Sequence, residues 1–159
     1  MSSDHQAMAE EARQFHHAFA SVLIATATKE GNPTASYAPY LADEDPLAFY
    51  ILISELAEHT GNLRQNPRAS LLFIDNESVS SSLFARKRIT YYCKAEFIPR
   101  DQAIFDTILD RFEARHGPMV ALLKTLRDFQ LFRLSPMKAN YVRGFGEAFE
   151  FDPSDDSKG

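Results

Sequence analysis

The sequence predicts an α+β protein built on an antiparallel split β-barrel with flanking helices, and three observations predict it. Apolar, β-prone runs recur between short turn signals, one stretch alternates with a two-residue period, and helical spacing is confined to a few segments between them. Thirteen Phe and six Tyr with no Trp suit a barrel core and a flat-ring binding surface. A chain of 159 residues is expected to form one domain. That domain is taken as residues 1–151, with the polar tail DPSDDSKG, 152–159, expected to be disordered.

The opening segment to about Ala18 is predicted helical, because Met8, Ala12, Phe15 and Phe19 recur at helical spacing. Ser21 to Thr28 turns β-prone, Gly31-Asn32-Pro33 makes a tight turn, and Thr34 to Ala42 returns as the second strand of a hairpin. Glu44-Asp45-Pro46 breaks it. Leu47 to Ile53 and Ala69 to Asp75 are strands flanking a short helix, ELAEHTGNLRQ, and the serine-rich run Asn76 to Ser82 is an exposed loop. From Arg88 to Phe97 the alternation is cleanest: Ile89, Tyr91, Cys93, Ala95 and Phe97 share the buried face, and Arg88 points outward. Asp101 begins an amphipathic helix with Ile104, Phe105, Ile108, Leu109 and Phe112 toward the core, ended by Gly117-Pro118. A second helix runs from Pro118 to about Lys124. Two closing strands, Phe129 to Leu134 and Asn140 to Phe151, are separated by Pro136.

Composition excludes several functions. A net charge of -5 opposes general nucleic-acid binding, and Arg86-Lys87-Arg88 is too small a cluster to reverse it. No apolar run is long enough for a membrane span, and the N-terminus lacks the order of a secretion signal, so a cytoplasmic location is expected. The single cysteine, Cys93, rules out an internal disulfide and, on the buried face, reads as an inert small hydrophobe. His16 and His17 project about 100° apart on a helix, so they read as a partly exposed pair and not as a metal site. His116 reads as a helix-end residue, and no serine stands in a nucleophile elbow. Gly144-Phe145-Gly146 lacks phosphate-loop spacing and reads as a bulge or close approach within a strand. Asp128 reads equally as a turn carboxylate or a functional one.

One constellation remains. Ser54, His59, Thr60 and Arg68 gather around the turn from the third strand into its helix. A helix start offers unpaired N–H groups and a positive dipole end, which suits phosphate. Hydroxyls at such a turn also serve as plain caps. A chain with so little acid–base equipment can act by holding a cofactor that carries the reaction, and flavin and haem both fit that division of labour.

The run SYAPYLADEDPLAFYILISELAEHTGNLRQNPRASLLFIDNES, then ARKRITYYCKAEF and LRDFQLFRLSPMKANYVRGFGEAFEF, resembles the haem-utilisation (HugZ/HutZ-type) branch of the pyridoxamine 5'-phosphate oxidase-like FMN-binding split-barrel superfamily. The resemblance covers about Phe19 to Phe151, with its most specific pieces at Ser54 to Leu63 and Gly144 to Gly146. It implies a homodimer with two cofactor sites between subunits. FMN phosphate would meet Ser54, His59 and Thr60; Ser36, Tyr37 and Ala38 would lie along the flavin ring; Arg88 would contact the cofactor from a neighbouring strand. The expected activity is a flavin-dependent oxidoreductase acting on a small molecule, with no side chain as an essential acid or base and no metal ligands. The alternatives are haem binding with oxidative haem breakdown, and a cofactor-binding module without turnover. Haem-degrading members resemble one another in a C-terminal histidine that ligates iron, and EAFEFDPSDDSKG has none; Asp128 matches an acidic position that would support it. Cys93 stands where relatives have glycine, and the acidic tail lacks the basic substrate residues of vitamin oxidases.

Overall fold

In the computed structural model, which describes residues 3–154, antiparallel strands close on themselves in the order β3-β2-β1-β4-β5-β6, with β6 pairing back onto β3. The strands are β1 (Ser21–Ala27), β2 (Pro33–Glu44), β3 (Leu47–Ser54), β4 (Arg68–Ile74), β5 (Arg88–Ile98) and β6 (Phe129–Val142), and β7 (Ala148–Phe151) extends the sheet beyond the second half of β6. Helices are α1 (Ser3–Gln14), α2 (Glu58–Gln65), α3 (Ala103–His116) and α4 (Met119–Thr125). The predicted α+β split barrel with flanking helices is the observed fold. No helix among the described residues is long and apolar enough to cross a membrane.

Two cores explain the sequence pattern. Inside the barrel, Val22, Ile24, Tyr40, Phe49, Leu71, Phe73, Ile89, Tyr91, Phe132 and Tyr141 are buried, and Met8, Phe15 and Phe19 pack against them from the α1 end. Outside it, Phe105, Ile108, Leu109 and Phe112 of α3 and Val120 of α4 cover Leu41, Tyr50, Leu52, Ile98 and Leu131. Strand β3 lies between the two, which is why LAFYILI is apolar without alternation. Burial of the Cys93 thiol pushes its pKa far up, as an inert core residue requires.

Several expectations are corrected. β6 is one continuous strand, because Pro136 sits at a register shift opposite Cys93, where a missing N–H interrupts no regular ladder bond. Gly144-Phe145-Gly146 belongs to the β6–β7 turn, closed by Arg143 N–H to Glu147 O at 3.0 Å and Glu147 N–H to Gly144 O at 3.1 Å. Gly146 takes a left-handed φ of +69°, which glycine adopts without steric cost. Phe97 is exposed at the barrel mouth, packed on Phe132 and beneath the Arg64 guanidinium, while its neighbour Ile98 is buried under α3. Ile104 is exposed on α3. His16 is 1% exposed and belongs to the barrel end. The loop after β4 contains a short 3-10 turn at Glu77–Val79. Of the expected disordered tail, Pro153 is buried and its carbonyl accepts Arg13 Nη2–H at 2.5 Å, while residues 155–159 lie outside the described residues.

Candidate functional site

Helix α2 follows β3 and is stitched to two strands, β1 and β2. Glu58 accepts from Thr34 Oγ1 at 2.8 Å, His59 Nδ1 lies 2.7 Å from Ser36 Oγ, and Asn62 Nδ2 donates to Thr26 Oγ1 at 3.0 Å. The helix begins later than expected, at Glu58, because Ser54 holds residues 55–57 in a turn. Its Oγ accepts Leu56 N–H at 3.1 Å and its carbonyl accepts Ala57 N–H at 3.0 Å. Thr60, wholly buried, donates its hydroxyl to the Ser54 carbonyl at 2.5 Å.

Of the residues expected at the site, Ser36, Ser54, His59 and Thr60 are therefore brought together. Their hydroxyls are largely engaged in holding α2. Tyr37 and Ala38 follow Ser36 on β2 but divide between faces: Ala38 is buried in the barrel and Tyr37 is 66% exposed outside it. Arg88 stands on β5, three strands along the barrel from β2 in the order β2-β1-β4-β5, about 14 Å at ordinary strand spacing. Its Nη1 donates to the Arg86 carbonyl at 2.9 Å. One chain does not bring Arg88 to the α2 turn.

The remaining histidines are engaged elsewhere. His116 Nε2 lies 2.8 Å from the Tyr40 carbonyl, tying the α3 end to β2 instead of capping its own helix. Asp128 contributes its carbonyl to Glu55 N–H at 2.6 Å, a strand-end bond. His16 and His17 both approach Glu44.

The outer face of β2, β1, β4, β5 and β6 carries a second arrangement, which reading the sequence missed. Tyr37, Leu23, Leu72, Thr90 and Asn140 form one cross-strand row. Leu23 is 47% exposed and Met137, the residue skipped in the β5–β6 register, is 52% exposed; Tyr92 is also exposed. Arg88, Lys94 and Lys138 border these apolar side chains, and Lys138 Nζ sits 5.4 Å from the Tyr92 ring centre. Asn140 Oδ1 on this face is shielded from solvent and has no hydrogen-bond partner. At the β4–β5 end, Val79, Leu83 and Phe84 project from the loop and are exposed. Helices α3 and α4 cover the opposite side of the barrel, and among the described residues this half is bare. The legible signal was the doubly apolar Val22-Leu23-Ile24, which alternation alone does not explain.

Burial lowers the His59 pKa below the ordinary histidine value of 6.5. A depressed folded-state value means that the stability carried by neutral His59 is full above pH 6.5 and is lost as pH falls from there through the folded value. His59→Gln is therefore expected to flatten the fall in Tm of wild type on acidification below pH 6.5, measured by scanning fluorimetry at several pH values. Some slope remains, because burial lowers the His16 pKa as well. Parallel curves for the two proteins would show that His59 carries no such linkage.

The pyridoxamine 5'-phosphate oxidase family model matches residues 8–143. The chain is 34% identical over 145 residues to the heme oxygenase HutZ of Vibrio cholerae, covering 91% of this chain and 81% of that protein. A crystal structure of HutZ, described as a heme storage protein, superposes with a TM-score of 0.74 at 34% identity over 80% of this chain and 88% of that one. Campylobacter jejuni ChuZ superposes with a TM-score of 0.82 at 33% identity, over 92% of this chain and 60% of that one. The chloroplastic heme oxygenase HOZ of Arabidopsis thaliana is 31% identical over 121 residues, 76% of this chain and 35% of that protein.

Proposed function

The chain belongs to the pyridoxamine 5'-phosphate oxidase family and, within it, shares the split-barrel fold of the haem-utilisation branch; on that premise we propose that it is a haem-binding protein of iron utilisation that works as a homodimer. Two copies pair through the bare sheet face and hold the macrocycle at its edge. The observation that carries this reading is that face itself: apolar residues Leu23, Tyr37, Tyr92 and Met137, an unpartnered Asn140 amide oxygen, and a cationic border. A flat conjugated ring with two carboxylates matches apolar side chains rimmed by Arg and Lys. The likeness to proteins named heme oxygenase and heme storage protein points the same way.

The residues fit the macrocycle and its carboxylates better than they fit a histidine-bound iron. None of the five histidines lies on the strands that form this face. The donors it offers to iron are the phenols of Tyr37 and Tyr92 and the Met137 thioether. Haem, when bound, supplies the redox-active iron. The chain's own part is to stack against the ring, pair the carboxylates through Arg88 and through Lys138, which would exchange its ion pair with Glu150 at 3.3 Å for the ligand, and exclude water with the projecting Leu83 and Phe84.

A hemin titration followed by absorbance tests the proposal: a saturable, shifted Soret band is expected, and its progressive loss on adding a reductant in the presence of dioxygen, but not without dioxygen, would mark oxidative breakdown as opposed to storage. Arg88→Ala is expected to weaken hemin binding at least tenfold, from loss of a charge-assisted hydrogen bond of about 1.5–3 kcal/mol. Absence of a Soret shift with wild type would remove haem from the reading.

A second reading, FMN as cofactor of a flavin-dependent oxidoreductase, is favoured by the gathering of Ser36, Ser54, His59 and Thr60 at the β3–α2 turn. Phosphate there would meet the open N–H groups of the first helical turn and the His59 ring. Yellow protein carrying flavin absorbance bands after purification would favour it.

A further inference from the structure

Two imidazoles and a carboxylate converge where the 3-10 turn Phe15–Ala18 meets the end of β2. His16 Nε2 lies 3.1 Å and His17 Nε2 lies 3.4 Å from the same atom, Glu44 Oε2. One ligand atom from each of the three residues falls within 4.8 Å of the others. The two rings lie side by side, with centroids 4.2 Å apart and planes inclined by 35°. The expected divergence of adjacent side chains applies to their Cβ atoms; the imidazole tips reach further, and rotation about χ1 and χ2 brings both to Glu44.

We propose that His16, His17 and Glu44 form a binding site for one divalent first-row transition-metal ion of the zinc type. Metal–ligand bonds of about 2.0–2.2 Å set neighbouring donors about 3.0–3.5 Å apart in octahedral or tetrahedral coordination, and the two Glu44 distances fall in that range. Imidazole nitrogen and carboxylate oxygen are the donor types that zinc, nickel, copper and ferrous iron share, so the geometry identifies the class of ion and not one member. Three protein ligands leave a position for water.

The site is held from inside and open from outside. The His16 ring is 1% exposed, edge-on to Phe49 at 5.2 Å and beside Phe73 at 5.9 Å, and its backbone carbonyl accepts the Tyr40 hydroxyl. The side chains of His17 and Glu44 are each 47% exposed, which gives an ion its entry path. Arg115 is the cation whose field reaches His16, with its guanidinium seated over the Tyr40 ring and donating to the Phe19 carbonyl. Without metal, the ring Nε2–H groups donate to Glu44; with metal, each neutral ring would carry its proton on Nδ1 and offer the Nε2 lone pair to the ion. The ion would clip the turn after α1 to the β2–β3 hairpin. This proposal is independent of the haem reading, since the three residues lie outside the bare sheet face.

The test uses the full chain after chelator treatment and dialysis. Titration with Co(II) alone is expected to develop visible d–d absorbance that saturates at one ion per chain, and Zn(II) is expected to displace it and raise Tm. His17→Ala and Glu44→Gln are exposed enough to leave the fold intact, and each is expected to weaken Co(II) binding at least tenfold. The double variant is expected to lose both the absorbance and the Zn(II)-dependent rise in Tm, while His5→Ala keeps them. Failure of wild type to bind Co(II) stoichiometrically overturns the proposal. So does a double variant that binds as tightly as wild type, which would put the ion elsewhere.

Discussion

Leu23→Glu is expected to give a folded monomer that no longer takes up hemin. Leu23 sits at the centre of the bare outer face, between Tyr37 on β2 and Leu72 on β4, and half of it is open to solvent within one chain. A carboxylate there is hydrated in the monomer and costs the fold little. In the proposed dimer it would be buried against apolar side chains without a partner, twice by symmetry. Burying such a charge costs about 3 kcal/mol or more, at least roughly a hundredfold in dimer affinity. Light scattering after size exclusion measures the assembly, and the Soret titration measures the ligand. The dimer proposal fails if wild type is monomeric or if the variant remains dimeric. A dimeric wild type whose variant dissociates yet binds hemin normally would separate the ligand site from the seam.

Phe49→Ala has the largest effect expected on folding. Its side chain is wholly buried, and its ring contacts those of Tyr40, Phe73, Tyr91 and His16 with centroids 5.2–5.8 Å apart. Truncation loses the transfer free energy and leaves a cavity that a closed barrel cannot collapse, together about 3–5 kcal/mol. That is a large part of a net stability of about 5–15 kcal/mol. For a chain of this size it corresponds to a fall in Tm of roughly 10–15 °C. Phe49→Leu, which keeps most of the volume, is expected to cost only about 1–1.5 kcal/mol. Equal melting of the Ala variant and wild type in a thermal scan would mean that this aromatic cluster does not hold the barrel.

What could be read from the sequence divides by distance along the chain. β5 was legible because its pairing with neighbours needs only a local two-residue period, and α3 because its stripe recurs within each turn. Phe97 and Ile104 broke their patterns at element ends, where the barrel opens or α3 turns to solvent. Pro136 was read as a break because local rules exclude proline from a regular ladder; only the offset against Cys93 makes room for it. Ser36, Ser54, His59 and Thr60 were each legible as polar residues of one turn and one strand. Their mutual bonds were not, since Ser36 reaches His59 across the hairpin and most of β3. Glu44 as the common partner of His16 and His17 left no local signal at all, because it arrives from the far end of β2.

The barrel's closing seam joins Phe49 to Leu134 and Ser54 to Phe129, although β3 and β6 are far apart in the chain. During synthesis, β3 therefore leaves the ribosome long before its second neighbour exists. Until β6 is made, the nascent sheet presents a hydrophobic strand with one open edge, the geometry that recruits chaperones or stray chains. Expression yield of this protein is thus expected to depend on the speed with which its last third is translated.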